Sequence, residues 1–193
     1  GVITEAKLNI DNTPTNDHVL TAKSSAAGGL TWAAAAGVAG ITSSADGTAM
    51  TIDSTGRVNL PQLIAFTAYA NSNSSVNVSV GSKLPYDVAI INKGNGYNTS
   101  TYVFTAPVAG VYWFSYSAWC NQTSTGRTGF YKNGTAYGRS DYPIGTRHHA
   151  SGYQNDSASS AIELAANDTV DIRAYSSSVD VFGTNYFSGY LIG

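Results

Sequence analysis

Two adjacent histidines, His148 and His149, stand in a stretch that also holds Asp141, Tyr142 and Arg147. Neutral imidazole is a common metal ligand and titrates near neutral pH. Adjacent residues of an extended chain point to opposite faces, so one histidine from each copy can line a symmetry axis and share an ion. The competing uses are contact with a target and ordinary hydrogen bonding. The aspartates lack the spacing of a calcium loop, so no metal ligand is assigned. Hydrolytic chemistry finds little support. Glycoside hydrolysis needs two carboxylates about 5–10 Å apart, yet Glu5 and Glu163 are the only glutamates and the aspartates are scattered. Glu163 ends a strand before a tight turn, as a structural residue does. There is no Gly-x-Ser-x-Gly elbow and no nucleophile–base motif. A non-enzymatic chain without a cofactor is expected, and a carboxylate pair assembled across a subunit interface is the one route to a hydrolase.

Composition then limits what can position these side chains. Charged residues make up 11% of the 193-residue chain, against about 25% in ordinary soluble domains. The formal net charge of −2 argues against nucleic acid, which needs clustered Lys and Arg. Hydrophobic content is an ordinary 42%. Ser, Thr, Asn and Gly replace the missing charge, which points to all-β structure with many turns. Cys120 is the only cysteine, so no disulfide forms within the chain, and it reads as a small core residue. No apolar run approaches membrane-spanning length, and the first residues lack the pattern of a signal peptide.

The chain changes character near Leu60-Pro61. Every Tyr and every Phe lies downstream, and Trp32 is the only aromatic upstream. Residues 1–61 contain two units that each read as paired short strands around a polar turn: Val19–Ala22 with Leu30–Trp32, and Ala49–Ile52 with Arg57–Leu60. Trp32 to Gly40 is Ala- and Gly-rich, a short helix or a tight packing patch. So few large apolar groups cannot build a core alone. The segment is either a flexible linker or wound with other copies of itself. The alternation of Met50/Ile52 and Val58/Leu60 favours intertwining.

Residues 62–193 read as ten strands: Leu63–Tyr69, Val76–Val80, Asp87–Asn92, Tyr102–Thr105, Gly110–Cys120, Arg127–Lys132, Ala136–Ser140, Ala150–Leu164, Thr169–Tyr175 and Phe187–Ile192. Short strands at regular spacing imply a sandwich or jelly roll. Asn133-Gly134 is the strongest hairpin signal. Phe104 to Cys120 carries six aromatics and no charge, so it must be covered on both faces.

The aromatic spacing resembles the globular head of complement component one, subcomponent q, in the tumour necrosis factor superfamily. Asn92, Tyr97, Phe104, Gly110, Tyr112, Phe114 and Tyr116 fall on its signature without a gap. Tyr86 stands where the family usually has Phe. The resemblance spans residues 62–193 and implies a homotrimer of jelly rolls, whose neighbouring subunits screen the outer rings. Animal members carry collagen repeats, and none occurs here. The upstream units resemble shaft segments of bacteriophage tail fibres, another trimeric stalk.

In an antiparallel sandwich of consecutive strands, alternate connections share an end. The short ones are Ala106–Gly110, Asn133–Thr135 and Ala165–Asp168. The long ones, Asn121–Gly126, Asp141–His149 and Ser176–Asn185, form the tip if the shaft enters beside the short set. Candidate receptor-binding residues there are Asn121, Thr125, Tyr142, Arg147, His148, His149, Asp180 and Phe182, with Asp141 and Asn185 beside them. Tyr, Arg and His suit glycan or protein surfaces. The leading expectation is a trimeric receptor-binding tip of a tail fibre on a virion, meeting a bacterial surface molecule, glycan by preference. A secreted lectin-like or signalling head of the same fold is the alternative.

Overall fold

A computed structural model describes residue 10 and residues 18–23, 25, 29–34, 50–71, 75–122, 127–139, 142–147, 152–183 and 185–193. The chain divides into two compact units, Gly1–Gly47 and Thr48–Gly193. In the first unit β1 (His18–Ala22) pairs antiparallel with β2 (Leu30–Ala34), Leu20 facing Trp32. Trp32 is therefore a strand residue, which settles the start of the Trp32–Gly40 stretch. Residues 35–40 lie outside the described residues.

The second unit opens with a hairpin of β3 (Thr51–Ile52) and β4 (Val58–Asn59). Asp53 closes its turn by accepting from the Thr55 and Arg57 amides and from the Thr55 hydroxyl. These bonds, the Thr55 hydroxyl foremost, hold its carboxyl down at about 2. The strands that follow are β5 (Ala65–Tyr69), β6 (Val76–Val78), β7 (Val88–Lys93), β8 (Tyr97–Asn98), β9 (Val103–Thr105), β10 (Gly110–Gln122) and β11 (Arg127–Lys132). After them come β12 (Thr135–Ala136), β13 (Gly138–Arg139), β14 (Tyr142–Pro143), β15 (Gly145–Arg147), β16 (Gly152–Leu164), β17 (Thr169–Tyr175), β18 (Val179–Val181) and β19 (Tyr186–Leu191). No helix occurs among the described residues.

Two antiparallel sheets form the jelly roll. A long sheet runs β6-β18-β10-β19-β5-β7, with β16 also on β10. Because β16 pairs with all of β10 from Gly110 to Gln122, β19 and β18 share the other edge of β10 in succession. A short sheet runs β12-β11-β17-β9-β8, with β15 also on β11.

Nine of the ten expected strands are present with small shifts at their ends, whereas Ala136–Ser140 breaks at Tyr137 into the end of β12 and β13, which pair in different sheets, and β8 was not expected. The structure adds pairing where long loops were expected: β14 and β15 lie within Asp141–His149, and β18 within Ser176–Asn185. These strands are two or three residues long, too short for a period of two to register in sequence.

The core explains the aromatic spacing. Along β10, Tyr112, Phe114, Tyr116, Ala118 and Cys120 point inward and are fully buried or nearly so. Phe66 sits at the centre, stacked on Tyr97 at 4.7 Å and Phe104 at 5.1 Å and edge-on to Phe187 at 4.9 Å. A buried hydroxyl must find an acceptor, and each core tyrosine finds a backbone carbonyl. Tyr86 donates to Ser117, Tyr97 to Tyr86, Tyr112 to Val108 and Tyr116 to Thr128, at 2.8–3.0 Å. The extra hydroxyl of Tyr86 is thus absorbed, and burial pushes its titration well above the ordinary tyrosine range. Asn92 also has a structural task. Its amide donates to the Tyr97 carbonyl and its oxygen accepts the Tyr97 N–H, bridging the β7–β8 turn. At Gly110 a Cβ would meet Leu191 at 2.7 Å and the Gly193 carbonyl at 2.9 Å, so no side chain fits.

The short connections gather at one end. Asn133 and Gly134 both adopt positive φ, 50° and 79°, as a type I′ hairpin requires. Asn133 donates to Asp168 at 2.8 Å, and Ala106 donates its N–H to the Asp168 carbonyl at 2.8 Å. Leu63 and Ile64, just before β5, line an apolar cleft with Pro107, Val108 and Leu191. The chain therefore enters the sandwich at this end, called here the base.

Candidate recognition site

At the opposite end of the long sheet, residues alternate so that Val179 and Val181 point inward and Asp180 outward, and Cys120 inward and Asn121 outward. Register then places four outward residues in one row across four strands: Asn77 of β6, Asp180 of β18, Asn121 of β10 and Tyr153 of β16. Asn77 donates from Nδ2 to Asp180 Oδ1 at 2.7 Å. Beside the row three rings cluster. Trp119 lies 5.7 Å from Tyr153 and 5.3 Å from Phe182, and Tyr153 lies 5.4 Å from Phe182. Their planes are inclined by 42–49°. Trp119 is 43% exposed and Tyr153 62%.

The cluster is held from within. Phe182 donates its N–H to the Trp119 carbonyl at 3.0 Å. Asn185, which is buried, accepts the Trp119 N–H through Oδ1 and donates from Nδ2 to the Phe182 carbonyl. One amide thus ties β10 to the segment that carries Phe182. Fully burying a ring contributes about 1.5–3 kcal/mol, so this end leaves stabilisation unused at the half-wet rings.

The structure brings Asn121, Asp180 and Phe182 together, as members of one patch. Asn185 proves to be the buried clamp behind it. Tyr142 opens β14 and Arg147 closes β15, which pairs Arg147 with Arg127 on the short sheet. Thr125, Asp141, His148 and His149 lie outside the described residues. Trp119 and Tyr153 were missed as site residues. For Trp119, strict alternation along β10 was the available signal, since a core-facing Tyr112, Phe114 and Tyr116 commits it to the outer face.

Among the described residues no group of His, Cys, Asp or Glu is arranged to hold a metal ion. The Cys120 thiol is buried, and burial foremost, with Asp156 second, pushes its titration above the ordinary thiol range. It is therefore not a ready nucleophile. No helix among the described residues is long and apolar enough to cross a membrane.

The C1q domain matches residues 65–192, from the first residue of β5 to one residue beyond β19. The chain belongs to the C1q domain family. The mouse collagen alpha-1(X) chain is 31% identical over 121 residues, which cover 59% of this chain and 17% of that relative. Among solved structures, the globular domain of zebrafish complement 1qA protein superposes with a TM-score of 0.54 at 17% identity, covering 68% of this chain and 98% of that one. The Eiger TNF of S. frugiperda gives 0.54 at 11% identity, covering 68% of this chain and 94% of that one. Murine APRIL gives 0.51 at 9% identity over 67% and 99%. At these identities the likeness is one of fold. Within this C1q domain the ring cluster and its polar row occupy the end remote from the base.

Proposed function

We propose that this chain is a homotrimeric, non-enzymatic recognition head that works outside the cell, with residues 1–61 as a β-rich stalk wound with its copies. The C1q domain meets its target with the end remote from the base. The outward face of the long sheet carries the self-assembly reading. Register aligns Ala65, Tyr190, Trp113 and Ala161 in one row, and Thr67, Ser188, Ser115 and Ser159 in the next. A third row holds Tyr69, Tyr186, Ser117 and Ser157. None of these side chains is charged. Trp113, Tyr186 and Tyr190 are 37–49% exposed. Large uncharged patches with aromatic anchors are interface chemistry, and the serine row lets another backbone approach closely. A second copy suits the face because each copy carries the same patch, and symmetric closure covers all of them. The family resemblance supports threefold closure.

For the carrier, a secreted lectin-like or signalling head is the reading adopted, supported by the matches to a mouse collagen chain and a zebrafish complement protein. A tail-fibre tip directed at a bacterial glycan is the second reading. It draws on the shaft-like upstream units, whose β3–β4 hairpin leaves Met50, Ile52, Val58 and Leu60 49–64% exposed. An isolated hairpin of this kind is marginal in water, and copies that share those side chains would cover them. For either carrier the polar row holds a single carboxylate, Asp180, which does not supply the pair that glycoside hydrolysis needs.

Sedimentation equilibrium is expected to give about three times the chain mass of 20.1 kDa. Ser115→Lys, which sets a cation in the middle of the face, is expected to return the mass to one chain with the fold retained. A monomeric wild-type protein would overturn the assembly.

A further inference from the structure

We infer that Trp119, Tyr153 and Phe182, with the row Asn77–Asp180–Asn121, form a binding platform for a neutral pyranose sugar. This rests on the recognition reading and names its ligand class.

The chemistry of the patch narrows the ligand step by step. The row's only charged side chain is the Asp180 carboxylate, which repels phosphorylated, sulfated or carboxylated ligands. A quaternary ammonium sits over a ring face within about 6 Å of the centroid, and is held best where several rings surround it. Here the centroids are 5.3–5.7 Å apart, so the rings touch each other and present an open surface with no gap between faces. A close-packed protein partner would have to bring a cation to Asp180, because stripping its water unpaired is costly, whereas sugar hydroxyls meet the carboxylate without one.

A pyranose meets each requirement. One side of the sugar ring exposes C–H groups that stack on an aromatic surface, while its hydroxyls both donate and accept. The row offers acceptors on Asp180 and paired donor and acceptor atoms on Asn121 and Asn77. Adjacent strands lie about 4.8 Å apart, a spacing that neighbouring hydroxyls on one ring can bridge. The sugar leaves Asp180 partly in water, so no charge is sealed in. The Asn185 clamp keeps Trp119 and Phe182 in place before the ligand arrives, which lowers the ordering cost of binding. A single such contact is weak, and three on one trimer gain through effective concentration.

The test titrates the wild-type trimer with methyl β-galactopyranoside, methyl α-mannopyranoside and methyl β-N-acetylglucosaminide, following tryptophan fluorescence, and then screens it on an array of neutral glycans. Saturable binding to at least one is expected. Trp119→Ala should weaken it about tenfold or more, as ring anchors do, and Asp180→Asn severalfold, both at unchanged sedimentation mass. Tyr153→Ala, at the most exposed ring of the cluster, repeats the test should Trp119→Ala fail to fold. Three results would overturn the inference: no neutral glycan bound by a trimer of the expected mass, wild-type affinity in both Trp119→Ala and Asp180→Asn, or a preference for phosphocholine over every pyranoside. A trimer that adheres to cells or proteins through these residues yet ignores sugars sinks the ligand class and leaves the recognition reading standing. A monomeric wild type sinks the assembly instead.

Discussion

On the inward side of β10, Tyr112, Phe114 and Tyr116 are sealed against the short sheet, and each hydroxyl is matched to a carbonyl. On the outward side of the same strand, Trp113 and Trp119 stand 37% and 43% exposed. Neither side carries a charge from Val111 to Cys120. The inward rings are covered by the chain's own fold, whereas the outward rings stay partly in water. The outward side then divides again. Trp113 lies among serines and tyrosines that suit another copy, while Trp119 lies beside Asp180 and amides that suit a hydrated ligand. On the proposed reading, a strand of uniform composition would serve folding, assembly and recognition, according to which neighbours its register supplies.

Substitutions can break this contrast. Phe114→Ala is expected to show the largest effect, about 3–5 kcal/mol lost from the fold, because the ring touches Phe66, Phe104 and Phe187. Denaturant unfolding should show that loss at every protein concentration. Ser115→Lys should change the mass and leave unfolding of the single chain nearly alone, so equal losses for both variants would erase the distinction between faces. Tyr86→Phe restores the family's usual residue and removes one hydrogen bond. It should cost about 0.5–1.5 kcal/mol, measured in the same titration, and a loss as large as that of Phe114→Ala would mean the hydroxyl organises the core.

The smallest effect concerns pH. Bonds from Asn133 foremost, then Ala165 and Lys132, lower the Asp168 carboxyl from 3.8 to about 2. A depressed carboxylate stabilises the fold above the unfolded value and loses that contribution as pH falls from about 4 towards 2. Asp168→Asn should therefore make unfolding less sensitive to acid over that interval. An unchanged profile would show that the base turns are held by their backbone bonds alone.

Much of this was legible in the sequence because the determinants are local and periodic. Asn133-Gly134 announced a I′ turn, and the Tyr86-to-Tyr116 spacing announced which residues meet in the core. The position of Asn92 follows the same pattern, although only the structure shows its amide bridging to Tyr97. The candidate patch was half legible. Asp180 and Phe182 sit in a segment with loop composition, but β18 is three residues long and its place beside β10 is a long-range pairing that local pattern does not encode. Tyr153 was hidden for another reason. β16 is rich in Ser and Ala on both sides, so hydrophobic alternation did not reveal which way its first residues face until pairing with β10 fixed the register.

Cys120 turns the inward side of β10 into something that can be watched. Its sulfur is fully buried and rests 3.5 Å from the Ala118 carbonyl, so a thiol reagent reaches it only when the strand parts from its neighbours. The lone cysteine, placed a single residue from Trp119, is thus a native clock for how often the tip of the sandwich breathes.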